Sequence, residues 1–274
     1  MSEIPSHQSQ TKWRGMRGLQ GMLPAVVVAI LFFAIWESAV RFFEIPPILL
    51  PSPLKVIDFA RKNFATLGWA TIATGTAALL GLLGSILIGA LVSLVFSQSR
   101  IIRTAFYPYV IFLQTVPIVA IAPLLITWTG YTLKTVVLIT IIISLFPIIS
   151  NVTAGLVAID RNLESLLRIY QANRWHMMTK LRIPTAVAYL ILGTRISGGL
   201  AVVGAILGDL FVGSGAEHQG LGTLMTQWGA LQKTDALIAA LAASTFLGVL
   251  FFVTINVTAT LLLGRYTRLQ TSQA

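Results

Sequence analysis

Cysteine is absent from this chain, and charge is scarce. With no cysteine there is no disulfide, no thiolate metal site and no cysteine nucleophile. Asp, Glu, Lys and Arg together make up 10% of the residues, against roughly 25% in soluble domains, so that class is excluded. The few charges are also segregated. None occurs in residues 63–99, 104–133, 135–159 or 236–264, and each of these runs exceeds the ~20 residues a helix needs to cross ~30 Å of hydrocarbon. No Gly-x-x-x-x-Gly-Lys-Ser/Thr loop is present, so the chain has no such cradle for a nucleotide phosphate. His7, His176 and His218 are scattered without ligand spacing. No catalytic group, cofactor or metal is therefore expected, and the chain is not read as an enzyme. The hydropathy of the two halves does not match, so the inverted repeat of many secondary transporters is missing.

What is present is oil. The sequence is 56% hydrophobic, with a mean hydropathy of +0.84. Six spans are expected, at 23–40, 71–96, 104–128, 135–158, 185–212 and 236–263. These give an all-α polytopic membrane protein. The segments are continuously apolar rather than alternating, which excludes a membrane barrel. Pro108, Pro117 and Pro123 predict that the third span is bent or broken. The first apolar stretch follows basic residues but is ~18 residues or longer and lacks a small-x-small cleavage site, so it reads as a retained span.

The formal net charge is +10. On a soluble protein that would suggest nucleic acid; here it fits the accumulation of Lys and Arg on cytoplasmic loops. With the N-terminus inside, the inner set is Lys12, Arg14, Arg17, Arg100, Arg103, Arg161, Arg168, Arg174, Lys180, Arg182, Arg265 and Arg268. The outer set is Arg41, Lys55, Arg61, Lys62, Lys134 and Lys233. Twelve against six predicts both termini in the cytoplasm and a plasma (inner) membrane location. The chain then divides into an N-terminal tail (1–21), a transmembrane body (22–264) and a C-terminal tail (265–274). Prolines at 46, 47, 51 and 53 force extended structure before a short helical pattern at 54–64 on the outer face.

Two spans carry small residues at helical spacing. Gly81, Ser85 and Gly89 line one face of the second; Gly193, Ser197, Ala201 and Ala205 line one face of the fifth. Such faces let helices approach closely, and the fifth either packs tightly or borders a pathway. Three ionisable residues fall in or near spans: Glu37, Arg195 and Asp209. Charge there is costly and points to pairing or to a pathway. Arg195 and Asp209 return to nearly one face of the fifth span, ~21 Å apart along the axis. Gly198, Val202 and Ala205 lie between them. Gly213-Ser214-Gly215 and Gly220-Leu221-Gly222 read as an outer loop.

The strongest signal is a polar interruption at 160–182, between two membrane-length runs. Within it Leu163, Leu166, Leu167 and Tyr170 fall at i, i+3, i+4 and i+7, one apolar stripe on a short helix. An amphipathic helix in the longest basic loop predicts a dock for a soluble partner.

The segment from Ser165 through Leu166, Leu167, Tyr170, Gln171, Ala172 and Arg174 to Lys180-Leu181-Arg182-Ile183-Pro184 resembles the EAA loop of type I ABC importer permeases. Asn151 to Leu156 before it and Gly193 to Ile196 after it fit the same pattern. So do Leu50-Pro51-Ser52-Pro53, Gln114-Thr115-Val116-Pro117 with Pro123-Leu124 and Gly130, and Gly220-Leu221-Gly222. Together they resemble the nitrate/sulfonate/taurine/bicarbonate branch, which includes pyrimidine-precursor and riboflavin-type importers. Glu164 lies one residue before the usual acid position, which Ser165 occupies. Gln171 replaces the Gly that separates the two short helices, and the turn is expected to centre on Asn173 instead. Asp209 stands where the branch usually has Glu.

The resemblance implies a permease subunit that forms the pathway for a small oxyanion or heterocycle. An ABC ATP-binding subunit would dock on coupling helices at about 163–182, through Leu163, Glu164, Ser165, Leu166, Leu167, Tyr170, Gln171, Ala172, Arg174 and Pro184. A substrate-binding protein would deliver the solute, a second permease subunit would complete a homodimer, and membrane lipid would surround it. Gln114, Arg195, Gly198, Val202, Ala205 and Asp209 are the pathway candidates. The rival is a secondary carrier or channel without an ATPase partner.

Overall fold

The computed structural model describes residues 13–159, 161–213 and 218–271, and these are helical with short connections. The helices are α1 (Trp13–Phe42), α2 (Pro53–Lys62), α3 (Phe64–Gln98), α4 (Arg100–Thr115), α5 (Ile118–Thr129) and α6 (Leu133–Val157). They continue with α7 (Arg161–Ile169), α8 (Arg174–Met177), α9 (Ile183–Val212), α10 (Leu221–Ala230) and α11 (Thr234–Thr271). Among the described residues four helices are long and apolar enough to cross a membrane: Phe64–Gln98, Leu133–Val157, Arg174–Val212 and Thr234–Leu261. A fifth is added if the bent pair α4–α5 counts as one span. The first expected span, at 23–40, falls within α1, which is not among those that qualify.

The third span is broken, as its prolines predict. Pro117 has no N–H to continue the ladder, α4 ends at Thr115 with Val116 as its extended cap, and α5 leaves at 96° to α4. Pro184 is accommodated differently. The five residues before α9, Met178–Arg182, form a π-helical turn in which the Ile183 N–H reaches back to the Met178 carbonyl. The helix from Arg174 to Val212 therefore runs on through the proline.

α6 is the centre of the molecule, packed most extensively on α9 and then on α3. Both small-residue faces serve this packing. Gly81 of α3 meets the Thr140 side chain, and Gly204 of α9 lies so near that a Cβ there would stand 3.0 Å from the Thr140 Cα. Hydroxyls stitch the same seams: Ser197 donates to the Ser144 carbonyl at 2.7 Å, and Ser93 to the Ile149 carbonyl at 3.1 Å. In an apolar solvent, close backbone approach and interhelical hydrogen bonds replace the hydrophobic drive of a soluble core. Tight packing within the subunit thus accounts for the fifth-span face.

The connector after α1 carries the short helix expected there, α2, but the prolines before it do not hold an extended chain throughout: the Leu49 and Leu50 N–H groups donate to the Pro46 carbonyl at 2.9 and 3.2 Å, closing a turn. Ser52 precedes α2, whose Val56 enters the core, and Glu37 pairs with Arg41 at 2.6 Å. Gly220-Leu221-Gly222 is not a loop, as the sequence suggests, but the cap and first turn of α10. Glycine is placed there because Asp209 of α9 presses against both Gly220 and Gly222, leaving no room for a Cβ.

Candidate functional site

The polar interruption forms two short helices joined by a tight turn. α7 carries the predicted stripe and has Glu164 in its first turn, where a negative charge favours the helix dipole. It ends in a Schellman-type reversal. Gln171 takes φ +54°, and the Ala172 N–H donates to the Leu167 carbonyl at 3.0 Å. This corrects the expectation that the turn centres on Asn173. Gln171 itself, which stands where the resembled loop has Gly, adopts the left-handed conformation. Asn173 is extended and caps α8, its Oδ1 accepting from the His176 N–H at 2.8 Å. An N-cap requires extended backbone and an acceptor side chain, and Asn173 supplies both.

The stripe is left open. Leu166 is 50% exposed, Tyr170 76% and Ile169 78%, and Leu163 is also exposed; Leu167 and Ala172 are half-buried under the turn. Trp175 on α8 is 71% exposed. Ser165, Gln171 and Arg174 are exposed beside them, and Glu164 is half-buried. Large apolar side chains are thus gathered on the surface of a short connection between two membrane-length helices. Ile169 and Trp175 belong to this patch but fall off the i, i+3, i+4 stripe, so periodicity missed them. The patch is tied to the spans beneath it. Arg182 donates to the Ser97 carbonyl at 2.9 Å, linking the π-turn to the end of α3, and Met178 and Leu181 are buried.

The pathway candidates are spread over three environments. Gly198, Val202 and Ala205 are buried on α9. Gly198 faces Ile255 of α11, and Val202 and Ala205 join the main core cluster. Arg195 is half-exposed and donates to the Thr260 hydroxyl of α11 at 3.1 Å, while its Nε is buried without a partner. Gln114 is exposed and borders a cavity of about 330 Å³ at the α4–α5 break, together with Pro147 and Leu200.

Asp209 is fully buried and has its own partners. Its Oδ2 accepts from the Thr74 hydroxyl at 2.6 Å, and that hydroxyl accepts from the Leu221 N–H at 2.8 Å. Its Oδ1 lies 3.0 Å from His218 Nε2, and its carbonyl accepts from Thr223 at 3.0 Å. α3, α9 and the start of α10 are thereby locked at one end. Sequence reasoning placed Asp209 on one face with Arg195 but had no signal linking it to Thr74, 135 positions away. Among the described residues no group of three His, Cys, Asp or Glu side chains is placed to hold a metal.

A family model described as a binding-protein-dependent transport system inner membrane component matches residues 85–269. The formylaminopyrimidine transport permease protein of Halalkalibacterium halodurans is 31% identical, over 88% of this chain and 94% of its own length. The riboflavin transport system permease protein of Chloroflexus aurantiacus is 30% identical, over 84% and 85% respectively. A putative aliphatic sulfonates transport permease protein of Bacillus subtilis is 28% identical, over 85% and 81%. Among solved structures, the inward-facing MetNI methionine ABC transporter superposes with a TM-score of 0.58 at 17% identity. It covers 71% of this chain and 94% of that one, a likeness of fold.

Proposed function

Because the chain belongs to the family of binding-protein-dependent transport system inner membrane components, we propose that it is the membrane permease subunit of an ATP-driven ABC importer and moves a small solute across the inner membrane. The observation that carries this reading is the open apolar face of α7 and α8, held between α6 and the long helix through α9. The chain has no phosphate-binding loop of its own, so the energy must come through a contact, and this patch is where such a contact fits. An ATP-binding subunit docks on Leu163, Leu166, Ile169, Tyr170 and Trp175. The Arg182 bridge to α3 and the π-turn into α9 carry its movement into the spans.

Six spans, with α1 as the first and both termini in the cytoplasm, complete the topology. Lipid covers the outward apolar faces, including Phe32, Phe33 and Ile35 of α1. A substrate-binding protein delivers solute to the opposite face, and a second copy of this chain supplies the other half of the pathway. The relatives are named for a pyrimidine, a flavin and sulfonates, so the cargo is a small heterocycle or oxyanion. Gln114 and Leu200, at the break between α4 and α5, border the pathway; Gly198, Val202 and Ala205 let α9 pack closely behind it. The carrier or channel reading has no observation in its favour.

The test is uptake in a deletion strain restored by this chain. Wild type restores uptake and retains the ATP-binding subunit on purification. A Leu166→Asp chain that inserts normally but still binds that subunit and restores uptake would end the docking assignment.

A further inference from the structure

A second cavity, of about 460 Å³, lies between the first turns of α4 and the last turns of α6. Its polar wall is Arg103, Thr104, Tyr107, Ser150 and Thr153. Every one of these side chains can donate a hydrogen bond, and no carboxylate is among them. The Arg103 guanidinium has neither an ion pair nor a hydrogen bond among the described residues, its backbone N–H alone being engaged, with the Ser99 carbonyl. Tyr107 Oη and Ser150 Oγ lie 3.1 Å apart, and whichever donates leaves the other's proton free.

Thr153 adds an independent sign. It is 4% exposed and its hydroxyl has no partner, which is costly for a buried polar group. Its neighbours on α6 avoid that cost. Thr140, Ser144 and Asn151 each donate to the carbonyl four residues back. The corresponding acceptor for Thr153 is the Ile149 carbonyl, and that oxygen already takes the Ser93 hydroxyl at 3.1 Å. A donor is left over in the wall of a cavity that also holds an unpaired guanidinium.

We infer that this cleft binds an oxyanion of phosphate or sulfonate chemistry, with Arg103 supplying the charge and the hydroxyls of Thr153 and of the Tyr107–Ser150 pair fixing its orientation. The positive end of the α4 dipole, in the same turn as Arg103, offsets the negative end of α6 on the opposite wall, so the attraction rests on the guanidinium. The volume exceeds a bare tetrahedral ion and admits a substituent. The reading of this end as the cytoplasmic side rests on the permease assignment. Two sources present such a group there: the phosphodiester of an anionic lipid at the inner bilayer surface, and a soluble anion on the cytoplasmic side.

The experiment uses the full-length chain with its ATP-binding subunit in phosphatidylcholine nanodiscs, titrated calorimetrically with inorganic phosphate and with sulfate. A second arm replaces part of the lipid with phosphatidylglycerol and measures its retention by native mass spectrometry. Saturable phosphate or sulfate binding in the first arm identifies a soluble ligand; selective retention in the second identifies the lipid. In whichever arm binds, Arg103→Gln weakens binding about tenfold or more and Thr153→Val weakens it severalfold. Arg100→Gln, which removes the same charge one turn earlier, leaves it unchanged. Equal losses for Arg103→Gln and Arg100→Gln, or no saturable binding in either arm, would overturn the site. With the ATP-binding subunit still bound to the chain, that failure leaves the permease assignment standing.

Discussion

Asp209 and Thr74 stand 135 residues apart in sequence, yet the Thr74 hydroxyl donates to the Asp209 carboxylate at 2.6 Å in a fully buried setting. That hydroxyl also accepts the Leu221 N–H at 2.8 Å, so a single side chain ties together α3, α9 and the start of α10. Removing it leaves two buried groups short of a partner, one of them a carboxyl oxygen. Each such loss costs about 1–3 kcal/mol. Thr74→Val, nearly the same shape, is therefore expected to destabilise the fold by about 3 kcal/mol. Thr74→Ser, which keeps the hydroxyl, stays within about 1 kcal/mol of wild type. Thermal unfolding of the purified, detergent-solubilised chain followed by size exclusion checks this; equal midpoints for Thr74→Val and wild type would contradict it.

This lock also shows where sequence reading stops. The long uncharged runs state the all-α membrane fold outright, because only a helix or a barrel satisfies its backbone in hydrocarbon. That the third span breaks is legible from its prolines, but where it breaks is not: Pro108 and Pro123 lie inside α4 and α5, while Pro117 stands at the break. The small-residue faces of α3 and α9 announce close packing but not their partner, which proves to be α6 on both sides. Asp209 was visible as a costly charge. Its partners Thr74 and His218 were not, because nothing local marks a contact between distant helices. At the turn after α7, residue preference pointed to Asn173, but the helix ends at Ile169 and places the left-handed position at Gln171. The count of residues to the helix end decided the turn, not the type of residue.

The docking patch gives the second prediction. Leu166 is half-exposed on α7, with no buried role to lose, so Leu166→Asp tests contact rather than folding. Placing a carboxylate in an apolar interface adds a desolvation cost of order several kcal/mol. The ATP-binding subunit is expected to be lost on affinity purification, while membrane insertion and the thermal midpoint of the permease stay unchanged. Trp175→Ala, outside the sequence stripe but inside the exposed patch, is expected to weaken recovery of the same subunit.

Topology supplies a third. Reporter fusions at Ser6 and Arg174 are expected to read inside, and at Gly130 and Gln219 outside, following the distribution of Lys and Arg. An outside signal at Arg174 would remove the patch from any cytoplasmic ATPase and end the mechanism with it.

The last prediction separates packing from pathway on α9, using a chain with no native cysteine. Successive residues on this helix alternate between neighbours and open space. Val202 and Ala205 are buried among α3, α10 and α11 residues of the main core cluster, while Val203 and Ile196 are about half-exposed. Single cysteines at Ile196, Gly199 and Val203 are expected to react with a small thiol reagent or to cross-link between copies. Cysteines at Val202 and Ala205 should stay inert in the nucleotide-free assembly. Gln114→Cys and Leu200→Cys, at the α4–α5 break, should label with a small water-soluble reagent, since both line the open cavity there and Gln114 is exposed. ATP should change the yield at Gln114 and Leu200 if they border the route, because the route must open to one side at a time. Labelling at Ala205 that rises with ATP would instead show that α9 turns its packed face into the pathway during the cycle. A flat response at Gln114 and Leu200 in every nucleotide state would remove the α4–α5 break from the route.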